Sequence, residues 1–195
     1  MSRNVRKAAP GSRNQLRIIA GQWRGRRLPF PDAEGLRPTG DRIRETLFNW
    51  IALHLPASRC LDAFAGSGAL GFEALSRGAA EVVMIENNPA VFRQLQASRQ
   101  MLSAEGATLV KDSTPQWLAA ADCPPFDVVF LDPPFAGDLL QQTVDVIAQR
   151  PLLTPGALIY IEAAVGTAPR LPADWQPVRE KHTGDVCYRL FSAAG

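Results

Sequence analysis

Apolar and polar positions along this chain switch repeatedly between two periods. Short apolar runs with the pattern of buried strands occupy residues 59–63, 81–85, 108–110, 126–131 and 157–162. Stretches of helical spacing separate them, at about 69–77, 89–102, 115–121 and 138–149. Such strand–helix alternation predicts right-handed crossovers and a parallel sheet. Residues 40–54 predict one more amphipathic helix, with Ile43, Leu47, Trp50, Ile51 and His54 on one face. Near the end, 176–181 and 186–192 flank Thr183-Gly184-Asp185 and read as a hairpin that returns one strand antiparallel. At the start, Leu16, Ile18, Ile19, Trp23, Leu28 and Phe30 are interleaved with arginines around Gly21 and Gly25. That pattern reads as a strand, a glycine turn and a second strand.

Charge adds a polarity that the pattern alone does not show. Residues 1–31 hold eight basic side chains and no acid, while 51–195 hold 10 basic and 15 acidic ones, so the net charge of +2 hides an asymmetry. A basic arm on a mildly acidic body is the footprint of a polyanion binder. Residues 1–14, without apolar period, read as a flexible basic tail. The next segment is suited to following a sugar-phosphate backbone and stacking bases through Arg17, Trp23, Arg24, Arg26, Arg27 and Arg42. No apolar run reaches the roughly 18 residues of a membrane span. Cys60, Cys123 and Cys187 have neither metal-like spacing nor the even number of a disulfide framework, and two histidines give no basis for a His-based metal site. A cytoplasmic protein without metal is expected.

Two motifs then carry chemistry. Gly66, Gly68 and Gly71 satisfy G-x-G-x-x-G after the first strand, and Glu86 follows Gly66 by 20 residues. A nicotinamide enzyme is the obvious rival reading. Asp62 at the mouth of that strand opposes it, because a carboxylate there repels a pyrophosphate. Further acids stand at the ends of later strands: Glu86, Asp112 and Asp132. Such a row suits S-adenosylmethionine (AdoMet), which has no phosphate and carries a sulfonium and an ammonium. The second motif is Asp132-Pro133-Pro134-Phe135. Two prolines hold the chain stiff and extended beyond the strand. The Asp132 carboxylate and Pro133 carbonyl can then accept both hydrogens of an exocyclic amine, with Phe135 stacked on the ring that bears it.

With these segments, and with Arg17–Leu28 and Arg37–Ile51, the chain resembles class I AdoMet-dependent methyltransferases. Within them it resembles the RsmD family of bacterial 16S ribosomal RNA (guanine-N2)-methyltransferases over about residues 16–192. Many members carry tyrosine where Phe135 stands here. The resemblance implies a Rossmann-like, mostly parallel seven-stranded sheet with helices on both faces and an antiparallel C-terminal hairpin. A hairpin and helix extension over 15–54 would bind RNA, and 55–195 would form the methyltransferase domain. Asp62, Phe64, Gly66 and Gly68 would line the methionine end of AdoMet. Glu86, with Asn87 beside it, would hold the ribose, and Asp112, with Ser113, the adenine amine. Asp112 reads equally as a helix cap. Arg37 and Thr39 would contact the cofactor or the RNA. The expected partner is 16S rRNA or a small-subunit assembly particle, met by a monomer. Two alternatives stay open: methylation of adenine N6 or cytosine N4, which the same tetrad can serve, and a catalytically idle RNA-binding or ribosome-assembly module. A DNA target-recognition insert has no room in 195 residues.

Overall fold

The structure, a computed structural model, describes residues 14–31, 40–134 and 137–194. Its elements follow one another as β1 (Gln15–Arg17), β2 (Arg27–Pro29), α1 (Asp41–Trp50), β3 (Arg59–Asp62), α2 (Ala69–Ser76), β4 (Glu81–Ile85) and α3 (Pro89–Leu102). Then come β5 (Ala107–Val110), α4 (Thr114–Ala120), β6 (Phe126–Leu131), α5 (Leu139–Gln149), β7 (Leu153–Ala164), β8 (Gln176–Thr183) and β9 (Val186–Ser192). Strands β3 to β9 form one sheet in the order β5-β4-β3-β6-β7-β9-β8. The β3–β4, β4–β5, β3–β6 and β6–β7 pairs are parallel, whereas β9 runs antiparallel to both β7 and β8. Strand order along the sheet reverses between β3 and β6. That is the switch point where open α/β sheets bind ligands, at the carboxyl ends of the strands.

The central strands are apolar almost throughout because helices cover both faces. Alternation divides them between two cores. Cys60, Val82, Val128, Phe130 and Tyr160 face one side, under α1, α2 and α3. Leu61, Val83, Val129, Leu131 and Ile159 face the other, against Leu118 of α4 and Leu140, Val144 and Ile147 of α5. Local chemistry sets the ends of α3. The Asn88 side chain accepts from the N–H groups of Ala90 and Val91, Pro89 opens the helix, and Ser103 closes it at φ 51. The Val186–Thr183 pair leaves Gly184-Asp185 as a two-residue turn with Gly184 at φ 57.

Two expected elements have different bounds. The helix expected over 40–54 stops at Trp50, and Ala52–His54 form a separate 3-10 turn in which His54 is exposed. Its inward face includes Phe48 and a fully buried Arg44 besides Ile43 and Leu47, while Trp50 is half-buried and stacks on Tyr188 at 5.6 Å. The fifth strand of the sequence pattern starts at Leu153, ahead of the expected 157. Pro155 and Gly156 break the apolar run there without breaking the strand.

The N-terminal hairpin pairs Gln15 with Pro29 and Arg17 with Arg27 as a sheet of its own. It does not stand apart as an arm. Leu16, Ile18 and Leu28 are buried in the same core as β3 and β6. Its turn docks on α2. Glu73, fully buried, accepts from the N–H groups of Ile19 (2.8 Å) and Ala20 (3.0 Å) and pairs with Arg44 (3.4 Å) and Arg77 (2.7 Å). Ser76 Oγ donates to the Ala20 carbonyl at 2.5 Å and accepts from the Trp23 N–H at 3.0 Å. Gly21 lies so close to the end of α2 that a Cβ there would sit 1.7 Å from the Ser76 carbonyl oxygen. Its φ of 80 also favours glycine. The hairpin thus shares the core of the strands that follow residue 54.

Candidate active site

Four carboxylates stand at or just beyond the carboxyl ends of β3, β4, β5 and β6, namely Asp62, Glu86, Asp112 and Asp132, and Glu162 lies two residues before the end of β7. Register brings the central ones together. Asp62 pairs with Met84 on one side and Phe130 on the other, so Glu86 and Asp132 each lie two residues beyond the Asp62 neighbours.

Asp62 is almost wholly buried and accepts the Gly71 N–H at 2.9 Å. Burial pushes its pKa up to about 7, against the opposing Gly71 hydrogen bond, and the charge of Glu86 adds to the rise. Glu86 is half-buried, and its two oxygens take the N–H groups of Gly66 (3.0 Å) and Asn88 (2.6 Å). Burial raises its pKa, with those backbone donors pulling the other way. The glycine loop lies between these acids. Gly66 and Gly68 adopt φ 51 and 79, and a Cβ on Gly68 would come within 2.5 Å of Phe72. A Cβ on Gly71 would come equally close to Met84 of β4, so the third glycine serves helix–strand packing. Phe64 is half-buried against the second core.

Asn87 and Asp112 are exposed. The Asp112 carboxylate accepts its neighbour's N–H, from Ser113, at 2.7 Å, while Ser113 occupies the cap position of α4. Asp112 is thus not the cap. Thr114, invisible to the motif analysis, ties α4 to the site by donating its hydroxyl to the Ala63 carbonyl. Asp132 is half-buried, Pro133 buried and Pro134 exposed, at the end of β6. Phe135, Arg37 and Thr39 lie outside the described residues.

Of the expected RNA contacts, Arg24, Arg27 and Arg42 are exposed. Arg17 pairs with Asp41 at 3.1 Å, and Arg26 reaches the Met101 carbonyl at 3.5 Å. Trp23 is half-buried against the first core, because the hairpin turn packs on α2. Burial pushes the Cys60 thiol up to about 12 and raises that of Cys187, so neither is poised as a nucleophile. Among the described residues one group could hold a metal: Glu180, His182 and Cys187, with ligand atoms within 4.8 Å of one another. Sequence spacing hides it because pairing across the β8–β9 turn sets His182 opposite Cys187. Arg189 donates to Glu180 there at 2.8 Å, a competing cation for the same carboxylate. Among the described residues no helix is long and apolar enough to cross a membrane.

Residues 16–192 match the family model described as conserved hypothetical protein 95. The chain is 47% identical over 185 residues to ribosomal RNA small subunit methyltransferase D of Haemophilus influenzae, covering 93% of this chain and 96% of that protein. It is 47% identical over 188 residues to the protein of the same name from Escherichia coli, covering 96% and 94%. A solved structure of the candidate methyltransferase yhhF from Escherichia coli superposes with a TM-score of 0.86 at 46% identity, covering 93% of this chain and 99% of that one.

Proposed function

We propose, from the premise that the chain belongs to the RsmD family of methyltransferases, that it methylates small-subunit ribosomal RNA at the exocyclic N2 amine of one guanine, with AdoMet as donor. One observation supports this most: the Asp132-Pro133 segment emerges from β6 beside the strand that carries Asp62, so an amine-orienting group and a cation-seeking carboxylate share the switch point of the sheet.

The donor set fits AdoMet. Asp62 is a buried carboxylate whose charge burial opposes, and an ammonium or sulfonium stabilises that charge. Glu86 has two oxygens with acceptor capacity left for ribose hydroxyls beyond the two N–H bonds they take. Asp112 and Ser113 sit at the mouth of β5, where an adenine amine would lie. Asp62 stands at the glycine loop, where a nicotinamide pyrophosphate would need donors. When bound, AdoMet supplies the methyl group.

The chain's own residues would prepare the acceptor. The Asp132 carboxylate and the Pro133 carbonyl accept the two amine hydrogens. This favours a pyramidal nitrogen and frees a lone pair otherwise delocalised into the ring. Asp132 stabilises the positive charge that develops on that nitrogen, the methylated amine then loses one proton to solvent, and orientation contributes much of the remainder. No covalent enzyme intermediate is needed. The base must leave its stack to arrive. Phe135 would stack on it, and Arg24, Arg27 and Arg42, with the rest of the hairpin extension, would hold the flanking RNA. An rRNA substrate implies work in a bacterial cytoplasm.

The test incubates the full chain with labelled AdoMet and either deproteinised rRNA or partly assembled subunits, followed by nucleoside mass spectrometry. N2-methylguanosine is expected. N6-methyladenosine or N4-methylcytidine as product would replace the guanine reading. AdoMet binding without turnover on either substrate would favour an idle RNA-binding module.

A further inference from the structure

Strand β7 runs beside β6 with Phe130 opposite Tyr160 and Leu131 opposite Ile161. Continued one residue past the end of β6, that register sets Asp132 opposite Glu162. Alternation puts Phe130, Asp132, Tyr160 and Glu162 on one face of the sheet. Glu162 is 5% exposed, a carboxylate sunk at the rim of the site. The Tyr160 hydroxyl donates to it at 2.8 Å. Tyr188 stands opposite Glu162 on β9 and is itself buried under Trp50. Burial first, then Glu162, then Asp132 hold the Tyr160 pKa well above its ordinary value, so Tyr160 remains a donor and fixes the carboxylate beside it.

We propose that Glu162 determines the choice of base by accepting the N1–H of guanine while Asp132 and the Pro133 carbonyl take the N2 hydrogens. The inference rests on the guanine-N2 reading above. Guanine offers a donor, N1–H, next to its amine. Adenine and cytosine offer a lone pair next to theirs, at N1 and N3. A carboxylate at that point favours the first and repels the other two. The Asp-Pro-Pro segment alone treats all three amines alike, so discrimination needs a second acceptor at the same rim. Glu162 lies one strand over, at the same height.

The experiment first maps the methylated guanine by mass spectrometry. Subunits are then reconstituted with rRNA carrying guanine or 2-aminopurine at that position. The analogue keeps the 2-amino group and presents a lone pair at N1. Wild type should methylate it slower by on the order of a hundredfold, as when a charged hydrogen bond is removed. Glu162→Gln can turn an amide N–H toward that lone pair. It should slow guanine methylation and raise the analogue-to-guanine ratio at least about tenfold. That shift separates the role of N1 from the missing O6 of the analogue. Tyr160→Phe should move the ratio the same way by less, and AdoMet affinity of both variants, read by calorimetry, should stay within about twofold. Equal wild-type rates on the two bases would overturn the proposal even if Glu162→Gln did not fold. So would a variant that slows both substrates equally. A mapped product other than N2-methylguanosine would defeat the underlying guanine reading instead, and would be seen before the analogue is made.

Discussion

Asp62 and Glu73 are both buried carboxylates, one at the front edge of the sheet and one on α2 behind it, and they are treated in opposite ways. Glu73 accepts two backbone N–H groups and pairs with two arginines. Asp62 has no such cation among the described residues: its ionised form is held by backbone hydrogen bonds, with Glu86 repelling it. The first arrangement is complete within the chain and fastens the hairpin to α2. The second, under the proposed function, would be completed by a cation from outside. The same functional group at similar burial marks a joint of the fold in one place and the proposed ligand site in the other, and what distinguishes them is whether the positive charge is built in.

The comparison breaks most visibly at Glu73. Glu73→Ala removes one of the acids paired with the fully buried Arg44, which keeps Asp41 at 2.6 Å, leaves Arg77 without its Glu73 contact, and frees the N–H groups of Ile19 and Ala20. A loss of about 3–5 kcal/mol is expected from such a broken buried pair, read as a lowered urea midpoint. Asp62→Asn should behave differently. Because its folded pKa lies near 7, above the ordinary carboxylate value, the ligand-free fold holds a proton that the unfolded chain releases near pH 4. Its contribution therefore falls as pH rises from about 4 toward 7. At pH 8 Asp62→Asn should be as stable as wild type or more so. Equal destabilisation by the two substitutions would dissolve the distinction drawn here.

On the substrate side of the switch point, Asp132→Ala should lower turnover by about a hundred- to a thousandfold, as for loss of a group that stabilises developing charge. AdoMet affinity should stay within a few fold, because the proposed cofactor residues lie on β3, β4 and β5. Near-normal turnover at saturating RNA would remove the amine-orienting role.

A smaller effect sharpens the account of Asp62 itself. AdoMet binding should strengthen between pH 5.5 and 7, by at most about tenfold per unit, because a bound cation favours the ionised carboxylate. Calorimetry in buffers of different ionisation enthalpy should record proton release below pH 7. Asp62→Asn should flatten the profile and weaken binding by about 1–3 kcal/mol. A pH-independent affinity in wild type would assign the cation contact elsewhere.

The sequence makes the front edge far more legible than the joint behind it. Asp62, Glu86 and Asp132 end apolar runs, and a polar residue at the end of a buried strand is conspicuous in a linear pattern. Glu73 sits inside Ala69–Ser76, a helix buried all round, where one acid looks like an ordinary solvent-facing position. Apart from Arg77 one turn on, its partners are more than fifty residues away at Ile19 and Ala20 and 29 away at Arg44. Periodicity reports which face of an element is apolar and is silent on which distant backbone docks against it. Glu162 was hidden for a related reason. It too ends an apolar run, at 157–162, but it belongs to neither motif, and its nearness to Asp132 comes only from extending the β6–β7 register. Trp23 and its neighbours read as a free basic arm because arginines on the outer positions are plain in the sequence, whereas the burial of Leu16, Ile18 and Leu28 between them depends on the core beneath.

The hairpin has an inner side that is fold and an outer side proposed for RNA, and arginines divide between them. Arg17 pairs with Asp41 and Arg26 with the Met101 carbonyl, so removing either perturbs an interaction within the chain. Arg24 and Arg27 are exposed on the outer side. Arg24→Gln with Arg27→Gln should leave the urea midpoint and AdoMet affinity unchanged. RNA binding should weaken, and the slope of log affinity against log salt should fall by about 0.7–0.9 for each phosphate no longer neutralised. Filter binding over a salt series measures that slope directly. An unchanged slope would take the outer face of the hairpin out of the RNA path. A lowered midpoint would mean that even the exposed arginines belong to the joint, and the division between front edge and rear joint would have to be redrawn on the hairpin itself.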